Sequence, residues 1–255
     1  MPECFLPIPH LPAGIVTCAA VSAVRPSVVR ALQDHGVRVL PVEPLDGIDG
    51  AERFHADMAL CAVNGAVWWT ARQLSPATKT LLRKEGCVLT DTQQPVTAQC
   101  PSLNVCIAGH NVLGCPKTVD PLLRETLGIG DRQWLTVRQR YTKCSVAIVC
   151  DRAVITADVG IEKVCRSAGI DVLLIRSGSI VLDGYAYGFI GGCCGLLAPD
   201  CLAFSGRIER HPDYPDMRDF ARSYGVSLLS LTEEPLYDVG GILPVKESVT
   251  AAELS

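Results

Sequence analysis

The stretch VGIEKVCRSAGIDVLLIRSGSIVLDGYAYGFIGGCCG, residues 159 to 195, reads as one structural unit. Ile161 to Ala168 has amphipathic spacing and is stopped by Gly169. A glycine just past the last periodic residue is a helix stop, because a residue without a Cβ takes the left-handed cap conformation at little cost. Asp158 stands where that helix needs an N-cap. The apolar run Val172 to Ile175 then reads as a strand. A polar, glycine-bearing turn follows, and Tyr187 to Ile190 reads as a second strand that ends in a glycine–cysteine cluster.

Working outward, the same unit recurs along the chain. Ser27 to His35 is helical by its spacing, with Ser27 as N-cap; Gly36 stops it, and the strand Val37 to Val42 follows. Phe54 to Leu60 reads as the second strand of that copy, and Asn64-Gly65 before Ala66 to Trp69 is a hairpin signal. The next copy runs from Ser75-Pro76 through a helix to Gly86, with strands at Cys87 to Thr90 and Leu103 to Ile107. Pro121 to Leu127, Gly128 and Trp134 to Val137 begin a third, whose second strand, Cys144 to Val149, pairs with Ala153 to Thr156. The last copy has Pro215 to Tyr224, Gly225, Val226 to Leu231, and a strand from Tyr237 to Val245. The stop glycines at 36, 86, 128, 169 and 225 lie 50, 42, 41 and 56 residues apart. Every helix is separated from the next by at least two strand-like runs, where a doubly wound parallel sheet has one. Such a unit cannot bury both faces alone, so neighbours must stack. The expectation is a single α/β domain over residues 1–255, closed into a ring by the N-terminal strand Ile15 to Cys18 completing the last unit. The polar residues from Lys246 to Ser255 read as a frayed tail. Trp68 and Trp69 read as core, with an interface as the alternative.

Composition narrows the function classes. The chain of 255 residues is 48% hydrophobic and 20% charged, with a net charge of -4, so it can bury a large core but offers no basic surface for nucleic acid or an anionic membrane. No run approaches the ~18 apolar residues of a membrane helix, and Met1 to Gly14 has no signal-peptide pattern. Thirteen scattered cysteines without any CxxC pair then point to a reduced, cytoplasmic protein without a zinc-finger framework. Cys106, His110 and Cys115 are the nearest approach to a metal trio, but their spacing fits no standard site, and no metal or cofactor is expected. The glycines at 188, 191, 192 and 195 do not form a dinucleotide fingerprint.

Side chains alternate faces along a strand. Laying the second strands of the copies on one another sets Phe54, Ala56, Met58 and Leu60 on one face, and His55 and Asp57 on the other. The polar face continues at Asn104 and Cys106, at Lys143 and Ser145, and at Asp238 and Gly240, while Cys144, Val146 and Ile148 face the core. In a ring the equivalent faces meet at the axis, which gathers His55, Asp57, Asn104, Lys143 and Asp238 around a small polar molecule. Tyr187 is the contribution of the quoted stretch. The structural alternatives are a hydrogen-bonded strand histidine at 55, a solvated edge lysine at 143 and a loop cap at Asp238.

Five ββαβ-type units in a ring resemble the pentein fold, the five-bladed α/β propeller, with pseudo-fivefold symmetry, of guanidino-group-modifying enzymes. Within it the chain resembles the DUF6873-type family of bacterial proteins. The likeness rests on Arg138-Gln-Arg-Tyr-Thr-Lys-Cys-Ser145, Ile155-Thr-Ala-Asp158, Tyr185-Ala-Tyr-Gly-Phe-Ile-Gly-Gly192, His211-Pro-Asp-Tyr214 and Asp238-Val-Gly-Gly-Ile-Leu-Pro244. The resemblance implies a hydrolase or transferase acting on a guanidino or amide compound. His55-x-Asp57 matches the superfamily's acid/base histidine beside a guanidinium-holding carboxylate, a role that carboxylates fill through bidentate hydrogen bonds. His55, Asp57 and Lys143 are then the catalytic candidates, and Asn104, Tyr187 and Asp238 the substrate-binding ones. The sequence departs from the pattern at the nucleophile: the cysteine expected three residues after Gly240-Gly241 is Pro244. Cys106, Cys193 and Cys194 are the weighed substitutes, against the ordinary role of cysteine as a small buried hydrophobe. The alternative implied function is a non-catalytic, ligand- or macromolecule-binding pentein of the kind found among ribosome anti-association factors.

Overall fold

A computed structural model describes residues 2–248. The chain builds five small sheets by one rule. An antiparallel pair comes first, a helix crosses over, and a third strand joins parallel to the second. In chain order, β1 (Glu3–Phe5) and β2 (Val16–Ser22) lead into α1 (Pro26–Asp34) and β3 (Arg38–Val42). The one-turn α2 (Ala56–Ala59) introduces β4 (Leu60–Asn64), β5 (Val67–Thr70), α3 (Pro76–Lys84) and β6 (Val88–Asp91). The next sheet takes β7 (Cys106–Ala108), β8 (Asn111–Gly114), α4 (Pro121–Leu127) and β9 (Gln133–Thr136). A second one-turn helix, α5 (Thr142–Ser145), introduces β10 (Val146–Cys150), β11 (Ala153–Thr156), α6 (Val159–Ser167) and β12 (Asp171–Leu174). The last copy has β13 (Cys194–Ala198), β14 (Cys201–Phe204), α7 (Tyr214–Ser223) and β15 (Ser227–Ser230), and the described residues finish on β16 (Leu243–Ser248).

β16 pairs antiparallel with β2, so the sheet β1-β16-β2-β3 is assembled from both ends of the chain. The N-terminal strand does pair with the C-terminal one, but in the first sheet: the last unit's own sheet, β13-β14-β15, takes no N-terminal strand. The pairing also corrects the reading of Lys246 onward as a frayed tail. Lys246 to Ser248 are strand residues opposite β1, and Glu247 accepts hydrogen bonds from the backbone N–H groups of Ala13 at 2.6 Å and Gly14 at 2.8 Å. Residues 249–255 lie outside the described residues.

Most of the helix signals are obeyed. Ser75 caps α3 by accepting from the Thr78 N–H, and Asp158 caps α6 through Ile161. Ser27 is not a cap, because Pro26 already opens α1. Gly36, Gly86, Gly169 and Gly225 all have positive φ, as helix-stop residues should, whereas Gly128 ends α4 with φ of -83° and no left-handed cap. Two expected strands are absent, and three others begin later than expected, at Cys106, Val146 and Leu243. Tyr187 to Ile190 is irregular, with β13 and β14 lying further on, and Phe54 to Leu60 is a short 3-10 turn followed by α2. Trp68 and Trp69 are buried in β5 and pack in the core. No helix among the described residues is long and apolar enough to cross a membrane.

Candidate functional site

The first strands of several sheets begin at a common place. β10 packs beside β7 and β13, β13 beside β16 and β2, and α2 beside β2. The segments just before these strands carry the polar residues. They are one-turn helices and tight loops, and their compactness lets several consecutive side chains point inward. Ala56 to Ala59 are all buried in α2, and Thr142 to Ser145 are all buried in α5.

The loop Asp238 to Gly241 clasps the α2 entrance. Asp57 N–H donates to the Gly240 carbonyl at 3.0 Å, and Gly241 N–H donates to Gly192 at 2.7 Å. Gly240 has φ of 75°, and a Cβ there would stand 2.4 Å from the His55 Cα, so only glycine allows this approach. Asp238 is held from both oxygens: Oδ1 accepts from the Gly240 N–H at 3.0 Å and Oδ2 from the Phe189 N–H at 2.9 Å. A Cβ on Gly192 would lie 1.9 Å from Asp238 Oδ1, so that glycine too makes room for the carboxylate.

Five of the six residues chosen from the sequence converge here, all buried. His55 Nε2 lies 3.5 Å from Asp238 Oδ1. Asn104 Oδ1 accepts from the backbone N–H groups of Lys143 at 2.7 Å and Cys144 at 3.2 Å, fixing the start of α5. Lys143 Nζ donates to the Gly191 carbonyl, 3.2 Å off. The sixth residue, Tyr187, is not among them. It is part-exposed, stacks edge-on to Phe189 and lines a cavity of about 120 Å³ with Gln139, Ser145, Asp158 and Arg176. That cavity touches the cluster through its wall: a Cβ on Gly188 would lie 2.6 Å from the Asp238 Cβ.

Cys144 occupies the centre, which the sequence reading had turned toward the core. Its thiol donates to Asp57, with Sγ 2.9 Å from Oδ2 and 3.2 Å from Oδ1. Sγ also lies 3.8 Å from His55 Nδ1 and accepts from Asn104 Nδ2 at 3.3 Å. The strand rule of alternating faces failed because residues 142–145 are helical, so neighbours Lys143 and Cys144 both turn inward. The available signal was the polar run Gln139 to Ser145 directly before an apolar strand. The other cysteines weighed lie elsewhere. Cys106 is packed with Leu113, Val146 and Ile148, and burial pushes its thiol up to about 12; Cys193 and Cys194 are equally buried thiols pushed up by the same cause. No disulfide joins any cysteine among the described residues. The His110 ring is exposed and pairs with Asp131, so it does not face the buried Cys106.

Electrostatics follow burial. Asp57 is pushed up to about 6 by loss of solvent, against the pull of His55, Lys143 and the Cys144 thiol. The Cys144 thiol is raised well above its ordinary range, first by burial and then by Asp57 and Asp238. Burial also opposes the Lys143 charge, but Asp57 and the surrounding thiols hold its pKa above the ordinary value. With two carboxylates and one ammonium, the interior has room for another positive charge. Among the described residues, His55, Cys144 and Asp238 also offer three ligand atoms within 4.8 Å of one another.

Pro244 lies in β16 opposite Ala19 and lines a water-sized pocket with His10 and Lys143. It carries no reactive atom.

Comparison with known proteins places this architecture. Residues 20–243 match the model of a family of unknown function (DUF6873). An amidinotransferase of the saxitoxin biosynthetic pathway from Microseira wollei superposes with a TM-score of 0.59 at 11% identity, covering 96% of this chain and 98% of that one. Inosamine-phosphate amidinotransferase from Streptomyces griseus gives 0.60 at 14% identity, with the same coverage. DDAH from Pseudomonas aeruginosa, complexed with citrulline, gives 0.53 at 10% identity over 91% of this chain and 99% of that one. At these identities the likeness is one of fold, a mixed α/β architecture of five small sheets. No curated protein matches the sequence.

Proposed function

The chain belongs to the DUF6873 family, and we propose from that premise that it binds a small polar compound, guanidino or amide, and acts on it as a hydrolase or transferase. In this reading the five sheets are blades of a five-bladed propeller forming one domain, and the compound sits at the axis. The side-by-side packing of β7, β10, β13 and β16 supports the ring. The observation that carries the function is the Cys144 thiol held between His55 Nδ1 at 3.8 Å and Asp57 Oδ2 at 2.9 Å, with Asp238 across the imidazole. A nucleophile, an acid/base group and two carboxylates are the parts that amidino chemistry requires.

Asp57 and Asp238 hold the guanidinium. As it binds, Asp57 exchanges its hydrogen bond from the thiol for hydrogen bonds from the cation, and the added positive charge favours the thiolate. His55 takes the thiol proton, and Cys144 Sγ attacks the amidino carbon. The S–C bond forms, the C–N bond to the departing amine breaks, and His55 returns the proton to that amine. Water, or an acceptor amine, then attacks the S-bound amidino carbon and the thiol is restored. Asn104 and Lys143 hold the α5 turn that presents Cys144. Tyr187 and the cavity that it lines receive the rest of the compound.

The test is a panel of guanidino and amide compounds assayed for ammonia, urea or amine release. The expectation is turnover with at least one, lost by 100-fold or more in Cys144→Ser and His55→Ala. No turnover of any compound, or turnover unchanged in both variants, overturns the enzymatic reading. The complete burial of Cys144 and His55 favours a second reading, a non-catalytic pentein whose polar interior is structural. Compound binding without release, equal in both variants, would support it.

A further inference from the structure

We infer that His55, Cys144 and Asp238 form a binding site for one divalent ion of the zinc class. The inference uses residues of the proposed site but does not depend on their turning over any compound. Imidazole nitrogen, thiolate sulfur and carboxylate oxygen are the donors that zinc takes, and three protein donors leave a fourth position open.

The geometry is close to closed around an ion. With metal–sulfur bonds of ~2.3 Å and metal–nitrogen and metal–oxygen bonds of ~2.0 Å, the ligand atoms of a tetrahedral site stand roughly 3.3 to 3.6 Å apart. Here His55 Nε2 stands 3.5 Å from Asp238 Oδ1 and its Nδ1 stands 3.8 Å from Cys144 Sγ, and one ring nitrogen, Sγ and a carboxylate oxygen lie within 4.8 Å of one another. Since one ring nitrogen must serve, bringing the three donors onto one ion takes a closure on the order of 1 Å.

A second, independent observation points to a ligand. His55 is 3% exposed, and its buried Nε2 makes no hydrogen bond, the nearby Asp238 Oδ1 standing 3.5 Å off. A buried polar nitrogen left unpaired costs about 1 to 3 kcal/mol, and coordination would satisfy it. The supports of the donors are also in place. Asp238 is fixed by two backbone N–H groups, and the Cys144 backbone by Asn104. The Cys144 thiol is approached by Asn104 Nδ2 and Asp57. Outer partners of this kind orient metal ligands.

Charge agrees. Coordination forms the metal–sulfur bond and breaks the S–H bond, and the proton passes to Asp57, which already accepts its hydrogen bond, and from there to solvent. One thiolate, the Asp57 and Asp238 carboxylates, the Lys143 ammonium and one divalent ion then sum to zero, with His55 neutral. An interior with one excess negative charge becomes balanced.

The experiment uses the full chain, stripped with chelator and loaded with Co²⁺ as a spectroscopic probe, then with Zn²⁺ in competition. Loading is done both in the folded state and during refolding, because the donors are buried. A near-ultraviolet thiolate-to-cobalt band at one ion per chain, displaced by one equivalent of Zn²⁺, is expected. Cys144→Ser and His55→Ala should each weaken binding by 100-fold or more, while Cys100→Ser, at an exposed thiol, leaves it unchanged. Circular dichroism selects the variants that fold; two are available, so one misfolding variant leaves the other to decide. Absence of the cobalt band under both loading conditions overturns the inference. So does binding within threefold of wild type in either folded variant, or loss in Cys100→Ser. A chain that turns over a guanidino compound and binds no zinc overturns this inference alone, and one that binds zinc without turnover overturns only the enzymatic reading.

Discussion

Asp57 shows what a single buried side chain does to the whole. Loss of solvent raises its pKa from the ordinary 3.8 to about 6. A carboxyl raised in the fold stabilises the native state while protonated, below its unfolded pKa, and that contribution is lost as pH rises through about 6. Urea denaturation should therefore show wild-type stability falling relative to Asp57→Asn between pH 4 and 6, by on the order of 3 kcal/mol, with the two curves parallel above. Parallel curves throughout would mean that the charged Asp57 is not penalised by its surroundings. The same residue shows how far sequence reading reached. Its type and its neighbour His55 were legible, because a histidine and a carboxylate two apart carry a recognisable chemistry. Cys144 was not, because its role depends on contacts with residues 40 and more positions away.

At the scale of elements, the helices were legible because glycine stops, proline starts and acidic caps are local signals. Asp158, Ser75 and the glycines at 36, 86, 169 and 225 act within a few residues of themselves. The segments before the strands were not, since α2 and α5 are single turns too short to show a helical period. Such turns exist because tertiary contacts hold them, and the clasp of the Asp238 to Gly241 loop on His55 and Asp57 is the clearest case. Gly240→Ala should cost about 3 kcal/mol or more in chemical denaturation, because it combines a positive φ with a collision against the His55 backbone. Gly178→Ala is the control, with φ of 101° and nothing within 4 Å of the new Cβ, and should cost only about 1 kcal/mol. Equal costs would mean that the clasp has slack.

At the scale of the whole molecule, closure rests on β16 and on the Glu247 carboxylate that accepts from Ala13 and Gly14. Glu247→Ala strands both N–H groups at the seam and should destabilise the entire chain by about 2 to 4 kcal/mol. Glu247→Gln, which keeps an acceptor in place, should recover more than half of that in the same thermal melts. An alanine variant as stable as wild type would show that the strand pairing alone holds the seam. Because β16 lies between β1 and β2, the first sheet that the chain lays down is the last one it can finish. β2 and β3 are complete by residue 42, but their partner begins at residue 243. At a synthesis rate of ~5 to 20 residues per second, a growing chain carries that open strand edge for roughly 10 to 40 seconds. The newborn protein is therefore most exposed to mispairing and to proteases at its N-terminal end, which becomes safe only when the C-terminal strand leaves the ribosome.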